Sequence, residues 1–349
     1  MKHVYVGMSG GVDSSVAAAL MLEQGYHVTG VYMKNWAQDL PGFHCPWQED
    51  YEDAMRVAVQ LGIELKLYDF QAEYRQRVVD YMIDGYQKGL TPNPDIMCNQ
   101  EVKFRLFLHT ALDDGADMIA TGHYARIDDG RLLMGKDPAK DQSYFLYRVD
   151  KAALKKTIFP LGVMHKSQVR VEAKKRGLIT ADKKDSQGIC FVGDVRIEEF
   201  LEYFIQATPG AVVDIDSRQV VGEHKGALYY TIGQRHGLGV AGGLPYYVVD
   251  KDMTKNEVYV TSDIASTDLW SDELELRSTH WIGEVPQQNQ SYKVRIRHQG
   301  SLLSASVLSM TDSSTLLRLD EPVRAAAPGQ SAVVYNDDLC LGGGIIAKR

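Results

Sequence analysis

Short runs of apolar residues alternate with stretches of helical periodicity from residue 1 to about residue 205. The apolar runs predict strands at 4–7, 28–33, 64–68 and 118–121. The other stretches predict helices near 14–24, 49–61, 71–87, 100–114, 166–177 and 194–206. This alternation is typical of a doubly wound parallel sheet, in which ligands bind at the carboxyl ends of the strands. An α/β domain is therefore predicted, with residues 7–15, Met33 and Gly122 at such strand ends.

The pattern changes after Pro209-Gly210, where helical periodicity disappears. From there Val, Ile, Tyr and Leu alternate with polar residues between closely spaced turns, which predicts strands. We predict three domains within the 349 residues. The α/β domain spans 1–208, a small β-rich central domain spans 209–272, and a C-terminal β-barrel, or alternatively a sandwich, spans 273–349.

Residues 7–15 read GMSGGVDSS and join the first predicted strand to the first predicted helix. Glycines let a ligand approach the backbone, and the amides that open a helix attract an anion. The loop is not a Walker A motif, because no Gly-Lys-Ser/Thr follows, and its glycine spacing excludes Gly-x-Gly-x-x-Gly. The stretch therefore predicts a phosphate cradle, with a ligand-free turn as the alternative.

Composition narrows the class of protein and its partners. The chain is 44% hydrophobic and 24% charged, as globular proteins are, and no apolar run is long enough to span a bilayer. We expect a cytoplasmic protein without membrane association. The formal net charge is −8, yet residues 148–184 carry eleven Lys/Arg and three acids. This basic segment fits a surface for a polyanion, and a solvated helix face is the commoner alternative.

A second set of cations lies in the last predicted domain. Lys293, Arg295 and Arg297 alternate with apolar residues, so period two places them on one face of a strand. Such a face suits a nucleic-acid backbone, although a solvated outer face shows the same alternation.

The chain has four cysteines and no Cys-x-x-Cys pair, so no zinc site is predicted. Cys45 and Cys340 fit buried, inert thiols. Cys98 follows a proline-stiffened approach and precedes a predicted helix that Asn99 is placed to cap, where the dipole favours a thiolate. Cys190 lies in a polar turn. Cys98 and Cys190 are therefore the candidates for thiol chemistry.

Seven strings occur in order across nearly the whole chain: GMSGGVDSS, NPDIMCN, ATGHYAR, KDQSYFLYRV, DSQGICFVG, YYTIGQRHGLG and VRIRHQG. In this order they resemble the tRNA-specific 2-thiouridylases, members of the PP-loop ATP pyrophosphatases with an adenine nucleotide alpha hydrolase-like fold. The resemblance implies that ATP adenylates the C2 oxygen of the wobble uridine in a tRNA anticodon, releasing pyrophosphate. Sulfur then displaces AMP and gives 2-thiouridine.

The resemblance also implies roles for the two cysteines. Cys190 matches the cysteine that accepts sulfur as a persulfide from a donor, either a cysteine desulfurase or a sulfur-relay protein. Cys98 matches the nucleophile that attacks the persulfide, either releasing hydrosulfide or forming a Cys98–Cys190 disulfide that is then reduced. Asp95 is a candidate acid or base beside the uracil, and capping a turn is its alternative.

The remaining roles follow the family's motifs residue by residue. ATP, with Mg²⁺ that leaves no clear trace in the sequence, is assigned to Gly7, Met8, Ser9, Gly10, Gly11, Val12, Asp13, Ser14, Met33 and Gly122. The target base is assigned to Asn93, Pro94 and Asp95. Contacts with tRNA are assigned to His123, Lys140, Asp141, Gln142, Arg297, His298 and Gln330.

One position departs from the family. Gln100 stands where a Lys or Arg is common, which leaves Lys103 and the helix dipole as the expected sources of positive charge near Cys98.

Two other functions fit parts of the sequence. A PP-loop ligase that delivers nitrogen would explain residues 7–15 but neither the cysteines nor the basic β-domain. A non-catalytic nucleotide sensor or RNA-binding protein would not require Cys190.

Overall fold

The structure is a computed structural model that describes residues 1–40, 44–185, 195–240 and 245–348. Cys190 therefore lies outside the described residues, as do the other residues of 186–194. The strands, in chain order, are β1 His3–Gly7, β2 His27–Lys34, β3 Glu64–Asp69, β4 Met118–Ala120, β5 Ala125–Asp128, β6 Arg131–Met134, β7 Thr157–Ile158, β8 Gly210–Asp214, β9 Val220–His224, β10 Tyr247–Asp252, β11 Glu257–Thr261, β12 Trp270–Trp281, β13 Ser291–Arg295, β14 Leu303–Met310, β15 Ser314–Arg324, β16 Ser331–Asn336 and β17 Leu339–Ile346.

The helices lie mostly in the first 205 residues, as the periodicity predicts. They are α1 Val12–Glu23, α2 Trp47–Leu61, α3 Gln71–Tyr74, α4 Asp80–Gln87, α5 Pro94–Met97, α6 Leu108–Asp113, α7 Ser143–Leu146, α8 Lys151–Lys155, α9 Lys166–Lys175 and α10 Ile197–Phe204, with π-helical segments at Arg75–Val79 and Cys98–Phe107 and 3₁₀ turns at Ala227–Tyr229 and Thr267–Leu269. Within the described ranges, no helix is both long and apolar enough to cross a membrane.

The first sheet has the order β3-β2-β1-β4-β7, and all its pairings are parallel. Alternate residues of β1 serve two cores. Val4 and Val6 pack with α1, α2 and α9 on one face, whereas Tyr5 packs with the helices around 71–113 on the other. Apolar side chains on both faces are the reason that strands such as β1 read as continuous apolar runs. The predicted doubly wound α/β fold is confirmed.

The central sheet has the order β10-β11-β8-β9, with a small core that includes Val212, Val248 and Val258. The last strands form a barrel in the order β12-β15-β14-β13-β16-β17, which closes because β12 also pairs with β17. The C-terminal barrel is therefore confirmed. The boundaries at 208/209 and 272/273 stay predictions.

A hairpin that the sequence pattern did not predict joins the first domain to the barrel. Strands β5 and β6 extend the barrel sheet, because Leu132 and Leu133 of β6 pair with Cys340 and Leu339 of β17. Each strand has only four residues, which is too short for a clear periodic signal and explains the omission.

Candidate active site

The Gly-rich loop leaves the carboxyl end of β1 and enters α1 at Val12, with Gly11 as the N-cap. Gly10 has φ +69°, and a Cβ built on it would lie 2.2 Å from the backbone oxygen of Asp50 in α2. Only glycine fits this conformation and this approach. The loop is thus held in a tight turn that presents the first amides of α1 at the edge of the sheet.

Serine hydroxyls fix the shape of the loop. Ser14 Oγ accepts a hydrogen bond from the Ser9 amide at 3.1 Å and donates to the Gly11 carbonyl at 3.1 Å. Ser15 Oγ donates to the same carbonyl at 2.8 Å. These bonds close the loop without a ligand, so a phosphate would meet a cradle that is already formed.

Two other strand ends lie against this loop. A Cβ on Gly7 would lie 3.2 Å from Met33 Cε at the end of β2. A Cβ on Gly122, just after β4, would lie 3.0 Å from the backbone of Asp13 and of Ser14. The structure therefore brings together the residues that the sequence assigns to ATP, and Gly122 allows the backbone after β4 to lie close to the start of α1.

A network of charges borders the loop, and sequence reasoning did not assign it a role. Lys166 at the start of α9 donates to both carboxylate oxygens of Asp13, at 2.8 and 2.7 Å, and lies 2.8 Å from Asp185. Burial alone would raise the pKa of Asp185, but hydrogen bonds from Lys140 and Lys166 lower it to about 2. Tyr124 donates to Asp13 at 2.7 Å, and burial keeps its pKa well above the usual range. Lys166 was visible in the sequence only as one member of the basic segment 148–184.

Many cations of the segment 148–184 are neutralised by ion pairs in the folded chain. Arg176 binds Glu23 at 2.7 Å and also Glu172. Other members of the segment form ion pairs as well, including Lys174 with Asp182 and Lys183 with Asp50 and Asp53. The interpretation of residues 148–184 as a polyanion surface is corrected for Arg176, because its side chain is only 15% exposed and connects the end of α9 to α1.

Cys98 lies inside a helix and not before one. Asn93 is the N-cap, its Oδ1 accepting from the amides of Asp95 and Ile96, and Pro94 follows at the first helical position. The predicted cap Asn99 instead donates to the Phe145 carbonyl at 3.3 Å. Cys98 is fully buried, and it sits beyond the first turn, where the dipole effect declines.

The environment of Gln100 also differs from the expectation. The Arg148 Nε donates to Gln100 Oε1 at 2.5 Å, and Arg148 Nη1 donates to the Ser278 carbonyl at 2.9 Å. A guanidinium from a different segment thus lies beside Gln100 on the Cys98 helix.

A cavity of about 510 Å³ lies where all three parts of the chain meet. Asn93, Pro94 and Asp95 line it from the α/β domain, Thr231 lines it from the central domain and Gln330 from the barrel. The Thr91 amide donates to the Pro328 carbonyl at 2.8 Å, and the hydroxyls of Thr91 and Thr231 are 3.1 Å apart. The structure therefore brings the residues predicted for the target base to the same cavity as Gln330. Asn93 supplies the N-cap of α5, and Asp95 follows it in the first turn.

Most of the remaining residues predicted to contact tRNA form hydrogen bonds or ion pairs with other residues of the chain. Asp141 is 2% exposed and binds Arg295 at 2.7 Å. Gln142 Oε1 accepts from the Tyr124 amide at 3.0 Å, and Lys140 pairs with Asp185. The prediction that Arg295 shares an exposed cationic face is wrong, because Asp141 of the first domain covers it.

His123 is buried and His298 is half-buried, and burial lowers the pKa of both rings. His123 is 8% exposed, packs against Phe104 and Phe159, and has its pKa held well below the usual range by burial and by Lys103. Burial also lowers the pKa of His298, which stacks on Phe145 at 4.4 Å between ring centres. Arg297, by contrast, is exposed.

Cys45 and Cys340 are both buried, and burial raises the pKa of each thiol. Among the described residues, no group of three or more His, Cys, Asp or Glu side chains is arranged to hold a metal ion.

Comparison with known proteins covers the whole chain. Three family descriptions match in succession: "tRNA methyl transferase HUP domain" at residues 2–194, "tRNA methyl transferase PRC-barrel domain" at 198–262 and "Aminomethyltransferase beta-barrel domain" at 271–346. The "tRNA-specific 2-thiouridylase MnmA" of Pectobacterium carotovorum subsp. carotovorum is 45% identical, covering 100% of this chain and 98% of that protein. The protein of the same name from Geobacillus thermodenitrificans is 46% identical, covering 99% and 94%.

Among solved structures, a "4-thiouridine synthetase - RNA complex with bound ATP" is 21% identical with a TM-score of 0.39. The likeness covers 58% of this chain and 50% of that one.

Proposed function

This chain belongs to the tRNA-specific 2-thiouridylase family, and from that premise we propose how its residues carry out the reaction. It is an ATP-dependent tRNA sulfurtransferase that forms 2-thiouridine. The observation that carries this conclusion is the similarity to 2-thiouridylases over all three domains. Two of the family descriptions contain the words methyl transferase, whereas both full-length relatives named above are called 2-thiouridylases.

The loop from Gly7 to Ser14 binds the triphosphate of ATP, with Met33 and Gly122 beside the nucleotide. Support comes from the preformed turn and from the convergence of three strand ends on it. The Mg²⁺ that accompanies ATP would be held mainly by the phosphates and by water, because both carboxylate oxygens of Asp13 accept from Lys166. That ion would neutralise phosphate charge.

The uridine base enters the cavity beside Asn93, Pro94 and Asp95, extruded from its stack so that C2 becomes accessible. The C2 oxygen attacks the α-phosphorus of ATP, and pyrophosphate leaves. Asp95 is suited to take the N3 proton of the uracil as the oxygen becomes nucleophilic. Adenylation converts a poor leaving group into AMP, which departs with the original oxygen when sulfur adds to C2.

Sulfur arrives as a persulfide on Cys190, loaded by a cysteine desulfurase or a relay protein. The Cys98 thiolate attacks the Cys190 sulfur and displaces the terminal sulfur as hydrosulfide, or the persulfide attacks C2 and Cys98 then resolves it. Both routes leave a Cys98–Cys190 disulfide, which a dithiol reductant must reopen. Because tRNA and ATP are substrates, we place the protein in the cytoplasm.

Reconstitution with ATP, purified tRNA, a cysteine desulfurase and a dithiol reductant tests this function. The expected result is 2-thiouridine, seen as retarded tRNA in a thiol-sensitive gel, with pyrophosphate release that depends on tRNA. Release that is indifferent to tRNA but requires a small amine would instead identify a nitrogen-delivering ligase. Binding of ATP and tRNA without turnover would identify a sensor.

Replacing Lys166 with methionine is expected to lower tRNA-dependent pyrophosphate release by roughly 10²-fold, a usual cost of removing one positioned cation from a charged transition state. The reason is that Lys166 links Asp13 of the phosphate loop to Asp185. Lys174→Met is the matched control, because Lys174 lies on the same helix and pairs with the exposed Asp182. Equal activity of the two variants would leave Lys166 with a structural role only.

A further inference from the structure

Lys251 is a buried cation that the reaction described above does not use. It lies in β10, is 4% exposed, and donates from Nζ to the Tyr230 carbonyl at 2.6 Å. Within the described ranges, no carboxylate lies at ion-pair distance from its ammonium, and the neighbouring Asp250 pairs with Lys348. Burying an ammonium without a counter-ion is costly, and a methionine of similar length would fill the same space at lower cost. Stability therefore does not account for this lysine.

Its position is a junction of the three domains. A Cβ on Gly89, just after α4, would lie 4.0 Å from Lys251 Cε and 2.8 Å from Met253 Cγ. From the C-terminal segment, Lys348 Nζ donates to the Lys251 carbonyl at 3.2 Å. Lys251 thus lies in the central sheet at the point where the turn after α4 and the chain after the barrel pack against it.

The bond to Tyr230 leads directly to the cavity. Thr231, the next residue, lines the cavity, and its hydroxyl lies 3.1 Å from the hydroxyl of Thr91. Thr91 precedes Pro92 and Asn93, which line the same wall. A carbonyl held by Lys251 therefore sets the position of the threonine that contacts the base-binding segment.

We propose that Lys251 is a positioning residue for the uridine cavity, holding Tyr230 so that Thr231 and Thr91 keep Asn93 to Asp95 in place. This inference rests on the proposed function of the cavity. Most of the affinity for tRNA comes from its phosphate backbone, so a displaced cavity wall lowers kcat more than it raises KM.

The protonation of Lys251 should make kcat depend on pH, an effect that a purely structural role of this residue would not produce. Burial, reinforced by Lys348 and opposed by Asp250, lowers the pKa of Lys251 to about 8. Gly89 and Met253, which pack against it, carry no charge. As pH rises through this pKa the ammonium becomes a neutral amine, a weaker hydrogen-bond donor to the Tyr230 carbonyl, and kcat falls. The contribution of Lys251 to the free energy of unfolding rises over the same range, because the unfolded lysine, with its ordinary pKa near 10.5, still binds the proton. Activity and stability therefore diverge above pH 8.

The test measures kcat, KM for tRNA and thermal unfolding against pH for the full chain. Lys251→Met should lose roughly 10- to 100-fold in kcat with little change in KM, and should lack the alkaline decline. Lys251→Arg, which stays charged, should restore much of kcat and also lack the decline. Lys348→Met, which removes a repelling charge from a half-exposed site, should move the decline to higher pH.

Wild-type kcat in Lys251→Met, or an alkaline decline unchanged in all three variants, would overturn the proposal. If Lys251→Met fails to fold, the pH profiles of Lys251→Arg and Lys348→Met decide the question. A failure of the proposed function itself is distinct, since the wild-type protein would then form no 2-thiouridine.

Discussion

Replacing Cys98 with serine is expected to abolish 2-thiouridine formation, with a loss of at least roughly 10³-fold, while ATP binding survives. A serine hydroxyl remains protonated near neutral pH, and oxygen does not replace a thiolate in thiol–disulfide exchange. The residues assigned to ATP lie on other elements, at the ends of β1, β2 and β4. Binding of nucleotide should therefore persist. The same outcome is expected for Cys190→Ser.

Cys340→Ser is the matched control for this variant. Cys98 and Cys340 are both almost fully buried, so each substitution places a hydroxyl in the interior. Thiolation in the reconstituted reaction and the unfolding midpoint are measured for both. Loss of activity in both variants would assign the effect to burial of the hydroxyl, and retained thiolation in Cys98→Ser would remove Cys98 from the mechanism.

Replacing Asp141 with asparagine is expected to lower the free energy of unfolding by about 3 to 5 kcal/mol, the usual cost of breaking a buried ion pair from one side. Asp141 accepts from the amides of Gly135 and Ser143 as well as from Arg295. Asparagine keeps the size but loses the charge. Arg295, whose side chain is 9% exposed, would then keep a buried charge without its partner.

Asp338→Asn is the control across the same pair of domains. It removes the partner of Arg126 from a site that is 52% exposed, where an ion pair contributes roughly 0 to 1 kcal/mol. Chemical denaturation measures both variants, and tRNA affinity is measured under conditions where each is folded. A small stability loss together with weakened tRNA binding in Asp141→Asn would show that Asp141 contacts RNA and does not join the domains.

The sequence pattern correctly placed the Gly-rich loop and the strand ends beside it. The Gly-rich loop and the strand ends at Met33 and Gly122 were found because the periodicity of a doubly wound sheet already specifies which residues share its carboxyl edge. The start of the Cys98 helix was misplaced although the sequence held the signal. Asn93-Pro94 has the residue types preferred at the N-cap and the first helical position.

Contacts between residues that are distant along the chain could not be predicted from local patterns. Alternation in 293–299 indicates which residues share a face, but not that Asp141 of another domain covers Arg295. Likewise, a count of charges in 148–184 does not reveal that Arg176 binds Glu23 of α1. Lys166 and Lys251 gain their significance only from neighbours far away along the chain, Asp13 and Tyr230.

Strands β6 and β17 pair with each other, but the ribosome synthesises them at widely separated times. Arg126 of the hairpin and Asp338 beside β17 are 212 residues apart. At 5 to 20 residues per second, the ribosome leaves the edge of β6 without its neighbouring strand for about 10 to 40 s. Exposed strand edges are templates for aggregation, and native proteins reduce this risk with short edge strands and charged side chains. The hairpin strand is four residues long and begins with Arg131, and both features disfavour pairing of its edge with another chain.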